Sequence, residues 1–168
     1  HIPEDRTNVG LILDFSVSEN LILGSHRSPR FRKLVRLDGR RISEFARGLM
    51  GRFGIVASSE GVPVRYLSGG NQQRVVVARE LSREPDLVIA AQPTMGLDVS
   101  ATEFIRRELL RMRGEGKAIL LVSSDLDEVL QLSDRIAVMY EGRFMGVGRP
   151  EDFTVEEIGL MMGGVEVR

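Results

Sequence analysis

The stretch LSGGNQQRVVVARE, residues 67–80, contains the clearest functional pattern in the chain. A turn-forming Ser-Gly-Gly opens directly into a run that predicts a helix with one apolar side. The first N–H groups of such a helix have no partner inside it, and the helix dipole favours negative charge beside them. The stretch therefore predicts anion recognition through Ser68, Gly69 and Gly70. The plain structural alternative is a helix that only packs its apolar side, which comprises Val75, Val76, Ala78 and Leu81.

The composition fits one domain, or one domain of two lobes. Of the 168 residues, 42% are hydrophobic, which supplies a core without disulfides, and cysteine is absent. The net charge of -1, from 23 basic and 24 acidic residues, gives no overall attraction to nucleic acid or anionic lipid. No run approaches the roughly 20 apolar residues of a membrane span.

Local patterns predict a mostly helical first half. Ser16 and Glu19 form a capping box before an apolar run, and residues 42–53 have the spacing of an amphipathic helix that ends at Gly54. Residues 25–41 are Arg-rich and irregular. A nucleic-acid stripe is one interpretation, but the lack of aromatic stacking partners favours a solvated linker or a partner-facing surface.

The second half alternates between strands and helices. The apolar runs 86–91 and 117–124 predict buried strands, each followed by a helix pattern. Residues 135–148 predict two strands joined at Glu141-Gly142, and a last capped helix follows. Such alternation is typical of a parallel α/β sheet covered on both faces. We therefore expect an α/β chain with a mostly helical lobe at about 10–80 and a parallel-sheet lobe at about 81–168.

The order of three motifs points to a family. The stretch 67–80, REPDLVIAAQPTMGLD (83–98) and AILLVSSDLDEVLQLSDRIAVMYEGR (118–143) resemble the signature motif, the Walker B strand with the D-loop, and the switch strand of an ATP-binding cassette (ABC) ATPase. The form GGNQQR is similar to sugar-type importers with two cassettes in tandem. IPEDR, GLILDFSVSENLIL and AAQPTMGLD resemble the second cassette of the simple-sugar and nucleoside branch. The resemblance implies a P-loop NTPase-like fold.

The P-loop pattern G-x-x-x-x-G-K-[ST] does not occur in the 168 residues. Lys117 follows Gly116, but residue 111 is Arg and residue 118 is Ala. The resemblance places residues 2–4 at the start of the family's Q-loop. We therefore expect the P-loop portion upstream of His1, so that residues 1–168 represent the C-terminal portion of one nucleotide-binding domain.

Three positions depart from the family's catalytic residues. Where the family has the Walker B Asp and Glu, this chain has Ala91 and Gln92, and Ser124 stands in place of the switch histidine. Alanine cannot hold Mg²⁺, and glutamine can orient a water molecule but cannot take its proton. The resemblance thus predicts no intact catalytic residue, no metal site and no activity of this chain alone. The alternative for Gln92 and Ser124 is ordinary core or loop polarity.

The signature motif, by contrast, is intact. The resemblance implies that Ser68, Gly69 and Gly70, with Gln72 and Asp98 at the same interface, bind ATP held by the P-loop of a partner cassette. The Mg²⁺ would be held by that partner cassette as well.

The same resemblance implies the partners: a second cassette, membrane permease subunits and, indirectly, a solute-binding protein, with no nucleic acid. The chain would be peripheral, at the cytoplasmic face of the cell membrane. One rival is an ABC-type ATPase of DNA repair or chromosome maintenance, which the GNQQR form and the lack of sustained heptads argue against. A non-catalytic interaction domain is the other, and Ala91 and Gln92 permit it.

The family's sheet order also predicts self-association. There the P-loop strand lies between the strands at 118–123 and 135–139. Without it, both strands would expose unpaired backbone edges, which tend to pair with another chain. The apolar side chains expected to be exposed with them are Ile119, Leu120, Leu121, Ile136 and Val138.

Overall fold

The computed structural model describes residues 1–34 and 36–167, which form two compact units, His1–Leu120 and Leu121–Arg168. These units divide at a different place from the lobe boundary expected near residue 80. The first unit contains all the long helices, because α4 packs on α3 and is retained with it. The division into a signature lobe and an α/β lobe stays a prediction.

Local signals set the helix ends of the first unit. Its elements are α1 (Val17–Ile22), β1 (Arg32–Lys33), β2 (Arg36–Leu37), α2 (Gly39–Phe53), α3 (Gly69–Leu81), β3 (Leu87–Ala91), α4 (Val99–Gly114) and β4 (Ala118–Val122), the last of which crosses the unit boundary. The predicted capping box is confirmed: Ser16 Oγ accepts from the Glu19 N–H, and the Glu19 carboxylate accepts from the Ser16 N–H. Gly54 adopts φ 60 and ends α2, as the sequence predicts.

The core of this unit lies between α1, α2, α3 and α4, in which α3 packs on each of the other three helices and α1 also packs on α2. On α3, the predicted apolar side is buried, together with its neighbour Val77. A fully buried amide, Asn20, accepts from the Ile12 N–H at 2.9 Å and donates to the Ile12, Phe15 and Ser16 carbonyls. It thereby fixes the chain that enters α1.

The sheet of the first unit is centred on β3. One edge of β3 bonds to β4, and the other forms a parallel bridge with the chain's second residue: Ile2 N–H donates to the Ile89 carbonyl, and Ala91 N–H donates to the Ile2 carbonyl. Ile2 is fully buried as a result. The strand–helix–strand order β3–α4–β4 gives the expected parallel α/β arrangement.

The prediction that both apolar strands are buried on both faces is wrong. In β3 only alternate residues are buried, and Leu87 stays 53% exposed. In β4, Leu120 and Val122 are 53% and 51% exposed. Continuous burial requires a packed layer on each face of a strand, and these side chains lack such cover from the described residues.

The second unit is built from neighbouring elements. It comprises α5 (Leu126–Leu132), β5 (Ile136–Tyr140), β6 (Arg143–Gly148) and α6 (Val155–Met162). β5 and β6 form the predicted antiparallel hairpin, and the turn residues Glu141 and Gly142 adopt positive φ, 44 and 78. Positive φ at both central residues gives a turn whose twist matches the strands. Thr154 caps α6 with Glu157, also as predicted.

One detail of the exposed-edge prediction is wrong. Ile136 and Val138 are 4% exposed, because Ile158 and Met161 of α6 cover them. Of the three β4 side chains named there, only Leu120 is exposed as expected, whereas Ile119 and Leu121 are half-buried. Self-association stays a prediction, now supported by β4 alone.

Parts of residues 25–34 and 36–41 form regular structure, which a simple linker would not have. Pro29–Phe31 forms a short 3₁₀ turn, and β1 and β2 form a small antiparallel hairpin directly after it. Across residues 1–34 and 36–167, every helix is too short or too polar to cross a bilayer.

Candidate functional site

Ser68 caps α3 in a way that leaves its hydroxyl proton available. The exposed Ser68 Oγ accepts from the Asn71 backbone N–H at 3.4 Å and from Asn71 Nδ2 at 3.0 Å. A hydroxyl has two acceptor positions and one donor. Because both acceptor positions are used, the O–H is left to donate outward. Asn71 is itself fixed, since its Oδ1 accepts from the Val56 N–H at 2.8 Å.

Two backbone donors stand beside this hydroxyl. Gly69 and Gly70 are the first residues of α3, so their N–H groups have no carbonyl one turn earlier to bond to. The positive end of the helix dipole lies at the same place. Ser68, Gly69 and Gly70 therefore offer three adjacent donors at the start of α3, which we call the donor set. That they bind an anion stays a prediction.

Both glycines have a close neighbour on the protein side. A Cβ at position 70 would lie 3.0 Å from Cβ of Ala101 and 3.3 Å from Oδ2 of Asp98, so Gly70 is required for α3 to approach the start of α4. A Cβ at position 69 would lie 2.9 Å from Nη2 of Arg6. Packing against α4 is thus enough to explain a glycine at position 70. At position 69 the neighbour is the flexible end of the Arg6 side chain, which could move away from a Cβ.

Arg6 is a site residue that sequence reasoning missed. Its Nη2 lies against Gly69, and its Nη1 donates to the Met95 carbonyl at 3.1 Å. Arg6 and Met95 are 89 positions apart along the chain, so a local sequence pattern could not predict their contact. Arg6 thus adds a positive charge beside Gly69 and bonds to the loop that follows β3.

Gln73 makes a second missed link to that loop. It is 2% exposed, and its Nε2 donates to the Pro93 carbonyl at 2.7 Å. One hydrogen bond, from Gln73, therefore connects α3 directly to the loop after β3. Arg6 lies beside Gly69 and bonds to the same loop.

Gln72 faces the protein interior. The side chain is 9% exposed, and its Nε2 donates to the Val64 carbonyl at 3.1 Å. One N–H of the amide thus holds the turn before α3, which leaves the second N–H and the amide oxygen. Its assignment to ATP binding stays a prediction that the donor set above does not need.

The end of β3 offers no carboxylate. Ala91 is the last strand residue, and Gln92, half-buried, follows it with φ 45, a left-handed conformation that few non-glycine residues adopt. Within residues 1–34 and 36–167, no three His, Asp or Glu side chains cluster as metal ligands would. The side chains at positions 91 and 92 therefore carry no carboxylate, and the absence of a metal site stays a prediction.

Asp98 lies at the N-terminus of α4, where its Oδ1 accepts from the Ala101 N–H at 2.9 Å. Its charge also acts on Arg74, one turn after Gly70. Burial lowers the pKa of Arg74, and the nearby Asp98 carboxylate opposes that shift. Asp98 therefore belongs to the same neighbourhood as the donor set. Ser124, exposed after β4, belongs to the second compact unit.

Curated relatives match the chain over nearly its whole length. It is 46% identical over 164 residues to the nucleoside import ATP-binding protein NupA of Lactococcus lactis and 45% identical to the guanosine import ATP-binding protein NupO of Bacillus subtilis. It is 43% identical to a ribose import ATP-binding protein of Rubrobacter xylanophilus. Each match covers 98% of this chain, yet the chain spans about a third of these relatives (31–32%). No family model matches the chain.

Solved structures agree on the fold. The ATP-binding cassette MJ0796, a dimer in a post-hydrolysis state with ADP and Pi, superposes with a TM-score of 0.71 at 23% identity, over 89% of this chain and 61% of that one. A nucleotide-free ABC transporter cassette superposes with a TM-score of 0.68, over 95% and 63%. The fold is thus that of an ABC cassette, a class in which dimers are observed. Within this class, the chain is a homologue of the sugar and nucleoside import ATP-binding proteins.

Proposed function

We propose that the chain acts within the nucleotide-binding domain of an ABC importer, and that the start of α3 binds the γ-phosphate of ATP held by the P-loop of a partner cassette. The observation that carries this proposal is the donor set at Ser68, Gly69 and Gly70. Its three donors, one hydroxyl and two backbone N–H groups, are adjacent at the positive end of a helix, and donors of this kind suit a phosphate.

The residues around the donor set support that role. ATP would supply the negatively charged phosphate group. Ser68 donates its O–H to it, Gly69 and Gly70 donate their N–H groups, and Arg6 adds a positive charge within reach. Asp98 caps α4 beside Gly70 and sets how closely the two helix starts approach.

Mg²⁺ does not fit this chain's own residues. The Ala91 methyl group cannot ligate a cation, and the described residues contain no acidic cluster that could replace it. The proposal therefore assigns Mg²⁺ to the partner cassette. Gln92 can hold a water molecule in place but cannot accept its proton, and the loss of a general base typically costs about 10²–10⁴-fold in rate. We therefore propose that this chain binds and orders a nucleotide site without hydrolysing ATP alone.

The transported solute belongs to this proposal as well. The relatives' names specify import of nucleosides, guanosine and ribose. We accordingly propose a simple sugar or nucleoside as the solute, with permease subunits and a solute-binding protein as partners, and a peripheral position at the cytoplasmic face of the membrane. The names of these relatives do not favour the DNA-repair alternative.

The proposal is tested by Ser68→Arg in the complete transporter that contains this chain. The bulky side chain would block approach of a phosphate, so we expect uptake of the labelled solute to be abolished. The 168-residue chain should stay folded, with its free energy of unfolding lowered only by loss of the cap, about 1 kcal/mol. Ser58→Arg, at another exposed serine, is the matched control and should retain uptake. Normal uptake by Ser68→Arg would show that Ser68 is only a helix cap, worth about 1 kcal/mol.

A further inference from the structure

The hairpin formed by β1 and β2 carries a dense positive charge. No acidic residue occurs between Glu19 and Asp38 in the sequence, whereas five basic residues lie between positions 27 and 36. All five side chains are exposed. We refer to the β1–β2 hairpin and the turns directly before it as the basic hairpin, which carries Arg27 and Arg30 before β1 and Arg32, Lys33 and Arg36 in the strands.

These charges differ from the arginines that follow them. Arg40 pairs with Glu44 at 3.0 Å, and Arg41 pairs with Asp38 at 3.4 Å. The five cations of the basic hairpin have no such carboxylate partner among residues 1–34 and 36–167. Their charge is therefore available to an external anionic surface, although the whole chain is almost neutral.

Contacts with α2 and its N-cap residue Asp38 anchor the basic hairpin. Phe31 is 2% exposed and packs on Phe45, with ring centroids 5.0 Å apart. The Asp38 N–H donates to the Phe31 carbonyl at 2.8 Å, and Arg41 Nη1 donates to the Arg32 carbonyl at 3.2 Å. The backbone that carries the cations is thus already fixed, which reduces the entropy cost of ordering it when a partner binds.

The tip of the same hairpin is apolar. There Leu34 is 93% exposed and adopts φ 58, a conformation that leucine rarely takes. Leu37, which pairs with Arg32 at the open end of the hairpin, is 52% exposed. Exposed leucines flanked by cations match the boundary of an anionic bilayer, where headgroups attract the charges and acyl chains accept the apolar side chains. Nucleic acid fits less well, because Phe31 and Phe45 are packed inward and Arg30 already lies over Phe45 at 4.1 Å.

We propose that the basic hairpin binds an anionic lipid surface, with Leu34 entering the headgroup region. This contact is independent of the nucleotide site, because no residue of the donor set takes part in it. It would give the chain a direct membrane contact, in addition to any contact through a permease.

The experiment is sedimentation of the 168-residue chain with vesicles. We compare phosphatidylcholine alone with phosphatidylcholine containing about 30% phosphatidylglycerol. We expect binding only to the anionic vesicles, and weaker binding as salt is raised. The triple variant Arg32→Gln/Lys33→Gln/Arg36→Gln should bind on the order of 100-fold more weakly, at about fivefold per cation. Leu34→Ser should reduce the binding that survives high salt.

A matched variant, Arg135→Gln/Arg143→Gln/Arg149→Gln, removes the same charge from the second unit and should bind as the unmodified chain does. Circular dichroism checks that each variant is folded. Equal loss of binding in both triple variants would overturn the proposal, since charge alone and not the hairpin would then matter. So would an absence of vesicle binding, or hairpin-dependent binding to a short DNA duplex without vesicle binding.

Discussion

A hydrogen bond from Gln73 to the Pro93 carbonyl connects α3 to the loop after β3. The two regions differ in the groups that supply their chemistry, which are backbone groups at the start of α3 and side chains at the end of β3. At the start of α3 the donors are mainly backbone N–H groups, which exist wherever the helix begins. At the end of β3 the family's carboxylates are side chains, and here Ala91 and Gln92 replace them while the strand still forms. A backbone site persists as long as its fold does, whereas a side-chain site can be lost without loss of the fold.

The largest expected effect is a loss of stability when Gly70 is replaced, which tests whether the packing of α3 on α4 requires a glycine at this position. Gly70→Val would force a side chain against Ala101 and Asp98, so we expect the free energy of unfolding to fall by about 2 kcal/mol. Gly51→Val in α2 is the matched control, because a Cβ there would meet no atom within 4 Å. Urea unfolding measures both. Equal effects at the two positions would mean that α3 and α4 are not in close contact at Gly70.

A smaller effect is expected when the connection between the two regions is removed. Gln73→Leu places an apolar side chain of similar size in the core but leaves the Pro93 carbonyl without its donor, which should cost about 1 kcal/mol. The loop after β3 should also exchange its amide hydrogens faster. Gln131→Leu, at an exposed position of α5, should change neither quantity. Unchanged exchange in Gln73→Leu would show that Arg6 alone holds the loop.

The smallest effect is a pH dependence at the turn that carries Arg6. Hydrogen bonds from the Asn8 side chain, and then from the backbone of Asn8 and from Thr7, lower the pKa of Asp5 from 3.8 to about 2. The folded chain binds this proton less readily than the unfolded chain, so the stabilisation is present above the ordinary pKa and is lost as pH falls toward 2.

Asp5→Ala therefore isolates this contribution. The difference in melting temperature between the unmodified chain and Asp5→Ala should shrink steadily as the pH is lowered from about 5 to about 2. Asp5→Asn keeps an acceptor at this position without an ionisable group and serves as the comparison. A difference that is constant across this range would contradict the lowered pKa.

Local features of the fold could be predicted from the sequence, and long-range ones could not. The capping boxes at Ser16 and Thr154 and the turn at Glu141-Gly142 were predicted because each depends on residues within a few positions. The exposure of Leu87 and Leu120 could not be predicted in this way. An apolar sequence shows that a strand can be buried, but it does not show whether another element covers it. The donor set was found through its helix start, whereas Arg6 was missed because its contacts lie about 60 to 90 positions away along the chain.

The bridge between Ile2 and Ala90 has a consequence for the order of folding. Its partners are 88 positions apart (90 minus 2), whereas the strands of the β5–β6 hairpin are joined by two residues. Closing the longer loop costs about 3 kcal/mol more chain entropy by the logarithmic dependence on loop length. Hairpins of the latter kind form within roughly microseconds. The second unit's hairpin should therefore form early, and Ile2 should reach its place beside β3 only after the chain through Ala90 has been synthesised and that strand has formed.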